Sequence, residues 1–104
     1  QPNNQPSRTR KMTPDYNLMF LKTERDFVEL DRNNLRIKIT ETSRLINNLI
    51  FLNAPESEVI CARLQKTTLE RELEKTIETL EDMRAQVEEA QTALEIRRAE
   101  AERV

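Results

Sequence analysis

Seven consecutive heptads run through residues 59–104, VICARLQKTTLERELEKTIETLEDMRAQVEEAQTALEIRRAEAERV. Apolar side chains recur there at alternating spacings of three and four, the period of a helix that buries one face along its length. The a positions are Val59, Lys66, Leu73, Leu80, Val87, Leu94 and Ala101, and the d positions are Ala62, Leu69, Thr76, Met83, Ala90, Arg97 and Val104. The pattern predicts one long helix from Pro55 to about Val104.

Glycine is absent from all 104 residues. Average usage would supply about seven glycines, and they would lie where a backbone must reverse through positive φ. With 35% charged and 4% aromatic residues, the composition is typical of extended helices that pack along their sides. The chain is therefore predicted to make very few tight turns.

Another helix start lies nearer the N-terminus, at Thr13, Pro14 and Asp15. Threonine can cap free backbone amides, proline suits the first helical position, and aspartate favours the positive end of the helix dipole. We expect a helix from about Pro14 to Leu52, which would be roughly 58 Å long at 1.5 Å per residue.

This first helix has two apolar faces. Its heptad frame passes through Leu18, Arg25, Arg32, Ile39, Ile46 and Asn53, and through Leu21, Val28, Leu35, Thr42 and Leu49. A second stripe lies off that frame and contains Phe20, Phe27, Leu30 and Ile37. Large apolar residues on two faces predict more than one packing neighbour. The alternative is a single wide face buried in a three- or four-helix bundle.

A break is predicted at Asn53–Pro55, because the residue before a proline is pushed out of helical geometry. The first heptad frame would continue at Ile60, whereas the second frame begins at Val59. Either the chain reverses here as a helical hairpin, or a long rod is kinked. A hairpin would lay 45–52 against 59–69. It would also leave about eleven residues of the longer helix, Leu94 among them, beyond the start of the first.

The chain is therefore divided into a polar arm at 1–12, a first amphipathic helix at 13–53 and a long heptad helix at 54–104. The arm, QPNNQPSRTRKM, carries Arg8, Arg10 and Lys11 and no acidic residue. It lacks the apolar surface to offset its ordering entropy, so we expect it to be disordered or extended. One interpretation is a solvated linker. The other is a basic arm that contacts nucleic acid, an anionic membrane or an acidic protein.

The heptad helix is poorly suited to pairing with itself. In a parallel homodimer none of the five g and e pairs from Gln65 onward would join opposite charges, and the d layer contains alanine, threonine and arginine where leucine is favoured. We therefore expect it to pair with a different helix, either the first helix of this chain or one in another protein. A hetero-oligomer is favoured over a tight homodimer. An ordinary homodimer with an imperfect seam is the alternative.

Enzymatic chemistry has little support in the sequence. Histidine is absent, Cys61 is the single cysteine, and phosphate-cradling loops require the glycine that this chain lacks. We expect no catalytic residue, metal, cofactor or small-molecule substrate. The longest apolar runs have four residues, at 18–21 and 49–52. We therefore expect a soluble, intracellular protein that is cytoplasmic or cytoskeletal rather than nuclear. Because the sequence opens with Gln1, we expect an excerpt of a larger protein or a processed product.

These features predict an all-α, elongated coiled-coil module with two long helices. Its expected function is non-catalytic lateral association with other helices in a larger, cytoskeletal assembly. The alternative is a regulatory module whose basic arm contacts nucleic acid or an anionic membrane while the helices oligomerise. The residues expected to bind partner helices are Leu18, Phe20, Leu21, Phe27, Val28, Leu35, Ile39, Ile46, Leu49, Val59, Leu69, Leu73, Leu80, Met83, Val87 and Leu94.

Overall fold

The computed structural model describes residues 13–103, and both regular elements in this range are α-helices. Helix α1 spans Pro14–Phe51, with 38 residues, and helix α2 spans Glu56–Arg103, with 48 residues. The predicted all-α fold with two long helices and a break between them is confirmed. The basic arm at 1–12 and the predicted seam residue Val104 lie outside the described residues.

Helix α1 begins as its sequence predicts. The Thr13 Oγ1 atom accepts a hydrogen bond of 3.1 Å from the backbone N–H of Tyr16. Pro14 is the first helical residue, and Asp15 is the acidic residue of the first turn. The side-chain oxygen of the cap thus satisfies one of the amides that a helix start leaves without an intrahelical partner.

The break between the helices is a tight reversal around Asn53, which has a positive φ of 54°. The Ala54 N–H donates to the Leu49 carbonyl at 2.9 Å, and the Asn53 N–H donates to the Ile50 carbonyl at 3.1 Å. These two bonds form a Schellman motif, in which the residue after the helix is left-handed and is usually glycine. Asparagine fills that position here, so the chain makes its reversal without glycine.

Helix α2 begins at Glu56, one residue later than predicted, and Pro55 caps it through its backbone. The Pro55 carbonyl accepts hydrogen bonds from the N–H groups of Glu58 at 3.0 Å and Val59 at 3.4 Å. Glu56 and Glu58 lie in the first turn, where a negative charge is favoured by the helix dipole. The two glutamates therefore stabilise the start of α2.

The described residues belong to two compact units. The first, the turn unit, is Phe27–Leu80, and it contains the reversal with the adjoining parts of both helices. Within it, Leu45 and Leu49 of α1 line a common cleft with Glu58 and Ala62 of α2. The two helices of the turn unit therefore lie side by side and antiparallel. Of the two alternatives left open at the break, the hairpin is the one observed.

The heptad frames define the buried side of the turn unit. Ile46, Ala62 and Leu80 are buried, and Leu80 is only 2% exposed. The other apolar seam residues are half-buried: Val28, Leu35, Ile39, Leu49, Val59, Leu69 and Leu73. Because both helices bury their a and d positions, each covers the seam of the other.

The second unit, the end unit, contains the described residues 13–26 and 81–103. Val87 and Leu94 are buried there, and Leu18, Leu21 and Met83 are half-buried. The prediction that Leu94 would lie uncovered beyond the first helix is wrong, since it is 9% exposed. Ala101, in contrast, is exposed.

An ion pair joins the two helices of the end unit, with Arg98 Nη2 at 3.2 Å from Asp15 Oδ1. A helical side chain leans toward the N-terminus of its helix, so the long Arg98 side chain reaches back toward the start of α1. Both side chains are mostly exposed, so the ion pair contributes little stability.

Candidate interaction surfaces

The predicted partner-binding residues fall into two sets with different surroundings. The seam residues are buried or half-buried within the turn unit or the end unit, so the other helix of the same chain covers them. Phe20 and Phe27 are exposed. The seam holds the two helices together, while the phenylalanines remain open to a neighbour.

Two arginines occupy seam positions that apolar residues fill elsewhere. Arg25 is half-buried, and its Nη2 lies 3.0 Å from Asp26 Oδ1 in the same helix. Arg32 donates from Nη2 to Asn33 Oδ1 at 3.3 Å. Its Nε is buried and has no hydrogen-bond partner among the described residues. Leaving a buried donor unsatisfied costs about 1–3 kcal/mol, so this layer weakens the seam.

The outer surface of α1 in the turn unit carries an apolar stripe. Phe27, Leu30 and Ile37, which we name the outer stripe, are 62%, 55% and 56% exposed. Their spacing of three and seven residues keeps them on one side of the helix. The seam passes instead through Val28 and Leu35, which are half-buried. The outer stripe is thus a second apolar face, as the sequence predicts.

The end unit has exposed apolar side chains of its own on α1. Tyr16, Met19 and Phe20 are all exposed, whereas the seam residues Leu18 and Leu21 beside them are half-buried. The contact of Phe20 and Phe27 with a separate neighbour stays a prediction, since no partner chain is present. Their exposure leaves both rings accessible to one.

A concave surface runs along one side of the turn unit, between α1 and α2. It consists of three clefts of about 350, 590 and 280 Å³, which we name together the lateral groove. The first two clefts share Cys61 and Gln65, and the last two share Lys38 and Glu72. The shared residues make the three clefts one surface.

Residues 13–103 offer carboxylates and the thiol of Cys61, but no histidine, as potential metal ligands. No group of three or more His, Cys, Asp or Glu side chains in this range is arranged to hold a metal ion. Cys61 is exposed in the lateral groove. Between residues 13 and 103, neither helix has a stretch apolar and long enough to cross a bilayer.

Comparisons of the chain with protein-family models, with curated proteins and with solved structures find no match. Function is therefore inferred from the surfaces of the two helices. The outer stripe and the lateral groove are two surfaces of the turn unit that stay open while the seam is covered.

The sequence predicts the outer stripe but misses the lateral groove. A groove between two helices depends on which positions flank the seam on each side once the helices are paired. Its walls include Lys38 and Glu72, which lie on different helices. The sequence signal that could have predicted the lateral groove is the set of residues that flank the seam in both heptad frames. It could be used only with the hairpin already established, and the sequence left the hairpin open.

Proposed function

We propose that this chain is a non-catalytic structural module that associates laterally with other helices in a larger, cytoskeletal assembly. The observation that carries the proposal is the outer stripe of Phe27, Leu30 and Ile37, which stays exposed although the seam is covered. A helical hairpin that worked alone would place polar residues on this face. An exposed set of large apolar side chains is typical of an association surface.

The energetics favour a neighbouring helix on this face. Each large apolar side chain gains about 1.5–3 kcal/mol when it goes from fully exposed to fully buried. The three residues of the outer stripe are 55–62% exposed, so burial against a partner helix supplies only the corresponding part of that free energy. Aromatic residues in addition often dominate the energy of an interface, and Phe27 is the most exposed residue of the three.

Detergent fractionation of cells that express the full protein tests the proposal. We expect the protein to sediment with the detergent-insoluble cytoskeleton, and Ile37→Ser to move most of it into the soluble fraction. Ile60→Ser is the matched control, because Ile60 is a similarly exposed isoleucine on α2 that lies outside the outer stripe. A wild-type protein found entirely in the soluble fraction would contradict the proposal.

A further inference from the structure

The lateral groove of the turn unit is a separate surface from the outer stripe, since none of Phe27, Leu30 and Ile37 lines it. We propose that the groove binds a basic amphipathic helix of about 18 residues from a partner protein, forming a local three-helix bundle. The inference rests on the proposed function, lateral association with other helices, and names the chemistry of one partner.

The dimensions of the groove match a helix. Along α1 it extends from Asp31 to Leu49, a distance of about 27 Å at 1.5 Å per residue. A straight helix of about 18 residues has this length. The groove lies between two antiparallel helices, and a third helix packs into such a position at about 8–10 Å from each axis. A partner bound as an extended strand could not pair its backbone N–H and C=O groups here, because residues 13–103 contain no strand that would offer a sheet edge.

The apolar side chains of the groove indicate an amphipathic partner. Leu45 on the α1 wall is 45% exposed, and Leu64 on the α2 wall is 63% exposed. Between them lie the seam residues Leu49, Ala62 and Leu69, which the packing of α1 against α2 already buries wholly or in part. A helix in the groove would cover both exposed leucines with its own apolar face. Its opposite face would remain in water and would be polar.

The charges of the groove indicate a basic partner. Four exposed carboxylates line it, against the single ammonium group of Lys38, which gives a net charge of −3: Asp31, Glu41, Glu58 and Glu72. Each exposed pair adds little affinity, but the sign of the field selects among partners and speeds encounter with a positive one. A second copy would present an equally acidic groove, and nucleic acid or an anionic membrane would be repelled. A partner helix with lysine or arginine on either side of its apolar stripe is complementary to this acidic groove.

The test is a titration of the full, isotope-labelled chain followed by amide chemical shifts in NMR. The probe is a synthetic 18-residue amphipathic helix of leucine and lysine, and the control peptide has glutamate in place of every lysine. We expect the lysine peptide to shift amides at 38–49 and 58–72, ranges that contain no residue of the outer stripe, and the glutamate peptide to shift none of them. Equal binding of the two peptides, or shifts centred on the outer stripe, would overturn the inference.

Matched variants localise the binding. Leu64→Ser is expected to weaken the dissociation constant of the lysine peptide by about fivefold or more, because it removes a large exposed apolar contact. Leu52→Ser makes the same change at an exposed leucine that does not line the groove, and is expected to leave the constant unchanged. Likewise Glu72→Gln weakens binding, and Glu78→Gln, outside the groove, does not. Equal effects of the two variants within either pair would contradict binding of the peptide in the groove.

The two proposals can fail separately. If the peptide binds without dependence on Leu64 while fractionation still depends on Ile37, the groove is refuted and lateral association stands. If the wild-type protein is entirely detergent-soluble, the proposed cytoskeletal function fails whatever the peptide does. Circular dichroism of every variant, with unchanged helicity required, separates loss of binding from loss of folding.

Discussion

Asn53 takes the conformation that glycine usually supplies at the end of a helix. Its φ of 54° lies in the left-handed region, which asparagine tolerates better than other residues with a β-carbon. We expect Asn53→Gly to preserve or raise the urea midpoint, and Asn53→Val to cost about 1–2 kcal/mol of unfolding free energy.

Asn47→Val is the control for that comparison, because Asn47 is exposed within α1 and the two residue types have similar helix propensities. Circular dichroism during urea unfolding measures all three variants. If Asn53→Val costs no more than Asn47→Val, the left-handed residue does not limit the stability of the turn.

Leu80 and Glu81 are neighbours in sequence with opposite surroundings, since Leu80 is 2% exposed and Glu81 is exposed. Truncating a buried leucine costs about 2–5 kcal/mol, and an unpaired buried charge adds to that cost. We therefore expect Leu80→Asp to lower the melting temperature severely. Glu81→Ala should cost roughly 0.5 kcal/mol or less. Comparable shifts in thermal melts of the two variants would show that the heptad frame is misplaced.

Arg32 is the seam residue with an unsatisfied atom, its buried Nε. Methionine has a similar length and no donor, so we expect Arg32→Met to raise the unfolding free energy by about 1 kcal/mol. Arg36→Met, at an exposed position one turn later, should change it little. Thermal unfolding measures both, and a loss of stability in Arg32→Met would mean that the arginine stabilises the seam.

At the scale of the element, α1 combines a covered seam with an exposed outer stripe. Phe27→Ala removes the most exposed side chain of that stripe. We expect it to weaken assembly by about 2 kcal/mol, or roughly thirtyfold, while the helix itself stays formed. Sedimentation with the cytoskeletal fraction measures the first effect, and circular dichroism measures the second. Ile60→Ala, outside the stripe, serves as the control, and an equal loss for both variants would argue against a specific face.

At the scale of the whole molecule, the pairing of α1 with α2 bears on self-association. Seam residues that would form a homodimer, such as Leu80 and Val87, are already buried within one chain. We expect the isolated protein to be helical and to associate weakly with itself. Analytical ultracentrifugation at low micromolar concentration measures this. A tight, monodisperse homodimer with a sharp cooperative melt would contradict the prediction.

The sequence determined the local features of this protein. Thr13 and Pro14 set the start of α1, and Pro55 set the break, because capping and proline geometry depend on residues close in the chain. All five buried residues of the described chain lie at positions of the heptad frames, since a period of three and four marks one side of a helix whatever covers it. Some frame residues, such as Ala101, are nevertheless exposed. The outer stripe followed from the same geometry.

Only the tertiary structure decided what covers the seam. A heptad pattern specifies a face but not its partner, so the hairpin and the kinked rod fitted the sequence equally. The reversal at Asn53 and the lateral pairing of α1 with α2 settled that choice. Burial of Leu94 and the existence of the lateral groove depend on side chains far apart in sequence, such as Lys38 and Glu72. Such positions become neighbours only after the helices pair, because a groove is formed jointly by both.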